Sequence, residues 1–178
     1  MTQATISPTT LWTRKRRSTA WTILGLVLFA LALAYAQSWA KSHRFWINQT
    51  PSLPNWAFIL DPEAEVETGA VVLFRPPSSP LVTAHFGSPP MDFVKIIGGM
   101  PGDEVTYENG IFHVNGLPLT ATKPLSKKGE PLVPGPTGIL PENTYFLYTP
   151  HPDGFDSRYE SIGWVHVRQI IGVGKPIL

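Results

Sequence analysis

The sequence predicts an all-β domain, a small twisted β-barrel or sandwich, behind one N-terminal apolar helix. Three observations carry this expectation. The 178-residue chain holds 19 Pro and 15 Gly, a punctuation that suits short strands joined by turns and disfavours a helical bundle. Runs of β-branched and aromatic residues recur between those turns. The first third also contains an uncharged stretch, AWTILGLVLFALALAYA, at residues 20–36.

The apolar stretch comes first in the chain. Extended to residues 18–39 it reaches the roughly 20 residues that a spanning helix needs. Trp21, Tyr35 and Trp39 then fall near its two ends, as an aromatic belt would. Arg14-Lys15-Arg16-Arg17 precedes it, and basic residues flanking a span stay on the cytoplasmic side. The pattern divides the chain into a cytoplasmic basic segment 1–17, a transmembrane helix 18–39 and an exported domain 40–178. A cleavable signal peptide is the competing reading, because Ala34-Tyr35-Ala36 offers a small-x-small cleavage pattern. The long polar region before the apolar run favours the anchor, and both readings export the remainder.

Charge follows the same division. No Asp or Glu precedes Asp61, whereas six Lys or Arg do, and the remainder holds eight basic and thirteen acidic residues. A basic head on a mildly acidic body suits membrane targeting and not nucleic-acid binding. There is no cysteine, which excludes disulfides, thiolate metal sites and a cysteine nucleophile. His43, His85, His113, His151 and His166 are scattered without metal-ligand spacing, so neither metal nor cofactor is expected.

In the exported part the expected strands are residues 57–60, 70–75, 93–98, 104–108, 111–114, 145–148 and 169–173. Asn109-Gly110 marks a two-residue hairpin turn, and Asn115-Gly116 a second one. Residues 38–50 read as a link, 76–90 as a Pro/Ser-rich loop and 118–143, with six prolines, as an extended excursion. No helix is expected after residue 40.

Three segments could carry chemistry. In Thr50-Pro51-Ser52-Leu53-Pro54 the serine lies between prolines, which restrict its backbone; the same composition also suits a linker. In Phe93-Val94-Lys95-Ile96-Ile97-Gly98-Gly99-Met100-Pro101-Gly102-Asp103 a lone lysine stands in an apolar run. A buried lysine has a lowered pKa and serves as a general base, whereas an edge-strand lysine reaches solvent. Asp153-Gly154-Phe155-Asp156-Ser157-Arg158 is a dense polar loop, readable also as a solvated turn. A Ser-His-Asp arrangement of His151 with Asp153 or Asp156 is a further possibility. Ser88 and Ser157, as alternative nucleophiles, read better as loop residues.

Together these segments resemble the serine signal peptidase family, the type I signal peptidases. FVKIIGGMPGDEV is similar to that family's lysine box, DGFDSRYESIG to its Asp-Ser-Arg-x-x-Gly box, and TGAVVLF to the strand between the serine and lysine boxes. The likeness covers roughly residues 46–110 and 140–175. Departures are visible: Ser52-Leu53-Pro54 is one residue shorter than Ser-Met-x-Pro, the Gly-Asp-Asn-Arg start of the last box is missing, and two extra residues separate Arg158 from Gly163. The short serine box, preceded by Asn48-Gln49-Thr50, is similar to the TraF-like branch of conjugative-transfer pilin peptidases, some of which also cyclise the pilin.

The resemblance implies Ser52 as nucleophile and Lys95 as general base. It implies the Thr50 hydroxyl and the Ser52 N–H as the oxyanion hole, and Asp156 and Arg158 as orienting residues. Gly98, Gly102 and Asp103 would shape the turn after the lysine strand, and Phe93 and Val94 would lie beside the substrate. The family often has a serine two residues before the last-box aspartate, where this chain has Gly154. The implied protein is a single-pass peptidase of the bacterial inner membrane, its N-terminus cytoplasmic and its catalytic domain periplasmic. Its partners would be an exported precursor, a pilin of a conjugation or type IV secretion system, and that system's proteins. A general signal peptidase is one alternative, and a non-catalytic, membrane-tethered β-module the other. Burial of Lys95 discriminates the last of these.

Overall fold

The computed structural model describes residues 8–47 and 53–177. It contains two compact units, residues 1–42 and 43–178. The first unit is helix α1, Pro8–Ser42. Within it Thr19–Ala40 forms a 22-residue apolar stretch, long enough to cross a membrane by length and composition. At 1.5 Å per residue this spans about 33 Å, slightly more than a bilayer's hydrocarbon core. The helix therefore extends beyond the expected 18–39 at both ends, and most of the expected link at 38–50 does not exist as such. Helical geometry runs to Ser42, and the first strand starts at Arg44.

The second unit is built mainly of β-strands, as expected, with eleven strands among the described residues. They are β1 Arg44–Ile47, β2 Ala57–Asp61, β3 Val71–Phe74, β4 Phe93–Gly99, β5 Glu104–Glu108, β6 Ile111–Val114, β7 Leu117–Ala121, β8 Gly138–Ile139, β9 Thr144–Tyr148, β10 Val165–His166 and β11 Ile170–Pro176. A seven-stranded sheet runs β1-β2-β11-β3-β4-β9-β10, and a four-stranded sheet runs β7-β6-β5-β8. All pairings are antiparallel. The two expected tight turns are present: Asn109 and Gly110 have φ of 50° and 81°, Asn115 and Gly116 of 51° and 77°. Two successive positive φ values match the right-handed twist of the strands they join.

Lys95 stands in β4, which lies between β3 and β9 in the interior of the larger sheet. Both faces of β4 are covered, Phe93, Val94 and Lys95 all being buried, which explains the apolar run around the lysine. One face of β4 contributes Phe93 and Ile97 to a core with Val72, Phe74, Tyr145 and Leu147. The other contributes Val94 to a cluster with Leu53, Phe58, Leu60 and Leu73. A third cluster joins the sheets: Phe146 of β9 packs with Val105, Phe112, Val114 and Leu140. The turn after β4 is closed by the Asp103 N–H donating to the Met100 carbonyl at 3.0 Å. Pro101 and Gly102, the latter at φ 90°, fill the two central positions as a type II turn requires. The Asp103 carboxylate accepts from the Met100 N–H at 2.7 Å and the Asn115 amide at 2.8 Å, so Asp103 ties this turn to the second hairpin.

Two expectations are corrected. Residues 76–90 are not loop throughout, since helix α2 spans Pro80–Phe86. Ser79 caps it by accepting from the Val82 N–H at 3.2 Å, and Pro80 takes the first helical position, where its missing N–H costs nothing. The 118–143 excursion also carries structure. It holds most of β7, whose Pro118 is tolerated because β7 is an edge strand, and all of β8. Its middle folds back as a hairpin in which Leu125 bridges Pro131.

Phe146 is wholly buried at the joint between the sheets. Phe146→Ala is expected to lower unfolding free energy by about 3–5 kcal/mol. Urea denaturation checks this, and a loss below about 1 kcal/mol would contradict the joint's role in stability.

Candidate active site

Lys95 is 5% exposed, so the solvent-reaching edge lysine is not what the fold builds. Burial holds its amine well below the ordinary lysine range; the Asp156 carboxylate opposes that shift, and the Arg158 guanidinium adds to it. Lys95 Nζ lies 5.7 Å from the centroid of the Phe93 ring on the same strand.

The last polar loop is buried, contrary to its reading as a solvated turn. Asp156, Ser157 and Arg158 are at most 1% exposed. The Asp156 carboxylate accepts from Arg158 Nε at 2.7 Å and Nη2 at 3.0 Å, the two-pronged geometry that suits guanidinium to carboxylate. It also accepts from the Thr149 N–H at 3.0 Å and the Thr149 hydroxyl at 3.3 Å. Arg158 donates further to the Thr149 carbonyl at 2.5 Å and the Ala121 carbonyl at 3.0 Å. Every charge in this interior pair is thus met by a partner, without which it would be strongly destabilising.

Ser157 and His151 have other duties. The Ser157 hydroxyl accepts from the Leu147 N–H at 3.0 Å, which holds the loop against β9 and gives this serine a structural role. His151 Nδ1 accepts from the Asp153 N–H at 3.0 Å. The Asp153 carboxylate binds Lys123, and Lys127 at 3.4 Å, and the Lys123 contact holds it below the usual carboxylate range. Asp156 is taken by Arg158. Neither acid is directed at His151, so a Ser-His-Asp arrangement there has no geometric support.

Lys95 lines a cleft of about 790 Å³. Its apolar walls come from Phe45, Trp46 and Ile47 of β1, from Phe86 and Met91, and from Phe155 and Tyr159. The 124–132 hairpin forms a further wall through Leu125, Ser126, Lys127 and Leu132. Its fastenings are polar. Glu130 meets Ser126, and His85 of α2 at 3.0 Å, while Lys128 donates to the Ala84 carbonyl at 3.0 Å. Asp153 fastens the opposite side through Lys123 and Lys127.

Phe93 and Val94 also line the cleft. They pair with Phe74 and Leu73 of β3, but pairing with β9 begins only at Ile96, opposite Tyr148. Among the described strands, the β9-side edge of residues 93–95 is therefore open towards the cleft.

Of the residues singled out in the sequence, Phe93, Val94 and Lys95 share the cleft, and the charges of Asp156 and Arg158 act on the lysine. Gly102 and Asp103 shape the turn beyond. Thr50 and Ser52 lie outside the described residues. Leu53, the residue after Ser52, is buried in the same apolar cluster as Val94, the residue before Lys95. Sequence reasoning missed Thr149, which is wholly buried. The signal for it was a hydroxyl at the end of the strand that flanks the lysine.

A family model described as signal peptidase, peptidase S26, matches residues 16–178. No curated protein matches the chain significantly. Among solved structures, a signal peptidase I from Enterococcus faecalis V583 is similar at 21% identity, covering 62% of this chain and 97% of that one, with a TM-score of 0.40.

The depressed lysine has a thermodynamic signature. Below its folded-state pKa the amine is protonated in both states, and burial costs stability in full. Between the folded and unfolded values only the unfolded chain holds the proton, so stability rises with pH until about 10.4. Lys95→Met should therefore be more stable than the parent at neutral pH, with the advantage shrinking on the alkaline side. Denaturation of both proteins across pH tests this, and an advantage independent of pH would mean the amine is not desolvated. Arg158→Leu strands the Asp156 charge and is expected to cost about 3–5 kcal/mol in the same assay.

Proposed function

Because the chain belongs to the signal peptidase family, peptidase S26, serine peptidases that cleave precursor proteins, we propose that Ser52 and Lys95 form its catalytic dyad. The observation that carries this reading is the buried Lys95, with its amine held below the ordinary lysine range, beside an open backbone edge that lines the cleft. A tethered binding module has no need of such an amine, whose burial costs stability.

The substrate enters as an extended strand along residues 93–95, its main chain pairing with that edge and its side chains filling the apolar cleft. Neutral Lys95 accepts the Ser52 proton as the hydroxyl attacks the scissile carbonyl. The Ser52 N–H and the Thr50 hydroxyl hold the developing oxyanion. Lys95 returns the proton to the departing amine, leaving an acyl-enzyme. Water then releases the acid, or an amine of the substrate forms a new amide and closes a ring.

The substrate we favour is a conjugative pilin precursor, on the strength of the short Ser-Leu-Pro box after Asn48-Gln49-Thr50. The enzyme works from the bacterial inner membrane, α1 crossing once, with Arg14–Arg17 cytoplasmic and the β domain periplasmic. Conjugation-system proteins of the type IV secretion kind are its partners. The alternative within the same chemistry is a general signal peptidase.

Intact masses of the pilin from cells with parent enzyme, Ser52→Ala and Lys95→Ala test this reading. Either variant should lower cleavage by at least about a thousandfold, so that precursor accumulates. A parent product lighter than the linear mature form by one water indicates ring closure. Identical pilin masses in all strains, with a secretory preprotein cleaved instead, would assign the general role. Full pilin processing by either variant would sink the dyad.

A further inference from the structure

One carboxylate on the cleft wall serves two lysines. Asp153 binds Lys123 through one oxygen and Lys127 through the other, the latter at 3.4 Å. All three residues line the cleft that holds Lys95. The contact with Lys123 is the closer one and matches the carboxylate's single charge. Lys127 is the looser partner, its side chain 70% exposed against 45% for Lys123.

The neighbouring acids are committed elsewhere. Asp92, across the cleft, meets Arg75 at 3.2 Å. Glu130, on the same hairpin as Lys127, is taken by Ser126 and by His85. Among the described residues no acid besides Asp153 pairs with Lys127. A cleft with mainly apolar walls thus carries surplus positive charge on one side. That side is close to the reacting lysine. Gly154 follows Asp153, and a Cβ on it would lie 2.9 Å from Asp156 Oδ2, the carboxylate whose charge acts on Lys95. An extended peptide advances about 3.3 Å per residue, so a side chain a few residues from the scissile bond comes within reach of Lys127.

We propose that Lys127, seconded by Lys123, is a specificity determinant that takes an acidic side chain of the precursor a few residues from the scissile bond. This rests on the reading of the cleft as the peptidase site. Lys127 exchanges its share of Asp153 for the substrate carboxylate, and Lys123 keeps Asp153 paired. A basic side chain at the same place is repelled, which adds to the discrimination. Contacts of this kind act on substrate and transition state alike, so the preference appears in KM and not in kcat.

The test uses the full chain in detergent and fluorogenic peptides with alanine before the scissile bond. The peptides differ only in a single Glu, Gln or Lys, placed in turn at each of the four positions on either side of that bond. At one position or two adjacent ones, the parent should prefer Glu to Gln by about twofold to fivefold in kcat/KM, the scale of an exposed ion pair. The preference should fade in 1 M salt, where screening acts over about 3 Å. Lys127→Gln should abolish it, and Lys127→Glu should turn it into a preference for Lys. Asp153→Asn releases both lysines and should enlarge the preference for Glu, the opposite of what a damaged wall would do. A parent indifferent to Glu, Gln and Lys at every position would overturn the proposal, as would a preference for Glu that survives in Lys127→Glu. Parental rates in Lys95→Ala would instead overturn the dyad while the preference stays measurable, which separates the two failures.

Discussion

An amine on an interior strand must give up its water, and in a poorly hydrated setting the charged form costs several kcal/mol. Lys95 is in this position: it pairs with Val72 of β3, one residue before the pairing with β9 begins, and is almost wholly buried. The arrangement around it is what keeps the neutral form accessible. A free carboxylate at Asp156 would draw the lysine into an ion pair and hold it protonated. Arg158 prevents this by taking both carboxylate oxygens itself, and its own positive charge pushes the amine further towards neutrality. The buried arginine is thus as much a part of the lysine's chemistry as of the loop's stability. Removing either partner changes both.

The loop that carries this pair is fixed from three sides. Ser157 is bonded to β9 in both directions, through its N–H to the Leu147 carbonyl and its hydroxyl to the Leu147 N–H. Arg158 reaches Ala121 at the end of β7. Residues 133–135 clasp it from outside: Gly135 donates to the Arg158 carbonyl, and the Glu160 N–H to the Val133 carbonyl. Gly135 comes so close that a Cβ there would lie 2.3 Å from the Ser157 carbonyl oxygen. The two extra residues between Arg158 and Gly163 fall into a turn, closed by the Ile162 and Gly163 N–H groups donating to Tyr159, with Gly163 at φ 65°. The irregular last box therefore absorbs its insertion away from the ion pair.

Much of this was legible in the sequence because its signals were local. The Asn-Gly turns, the Pro-Gly turn after β4 and the β-branched runs each fix their own geometry, and the strands they bound appeared within a residue or three of expectation. The lysine box and the Asp-Ser-Arg box could be placed in order before any fold was known. Helix α2 was not legible since its seven residues are introduced by prolines, which read as loop until Ser79 and Pro80 are recognised as cap and first turn. Strand β7 was hidden by Pro118, and β8 by having two residues. Thr149 was obscure for a different reason: its buried bonds to Asp156 and Arg158 depend on the last loop folding back onto the end of β9, which no run of neighbouring residues encodes. Whether the amine was wet or dry was likewise undecidable, since the same apolar run suits an edge strand and an interior one.

The early departure of β9 from the sheet at Tyr148 leaves a short stretch of β4 backbone without a strand on that side. Unpaired strand edges ordinarily invite other chains to add on, and proteins blunt them with charge, twist or a covering segment. Here the stretch is about three residues long and recessed in a cleft walled by β1 and the 124–132 hairpin. A folded sheet cannot approach it, while a single extended chain can. Depth thus separates productive strand addition from self-association, so a surface that has to stay adhesive for one peptide at a time does not become a seed for aggregation.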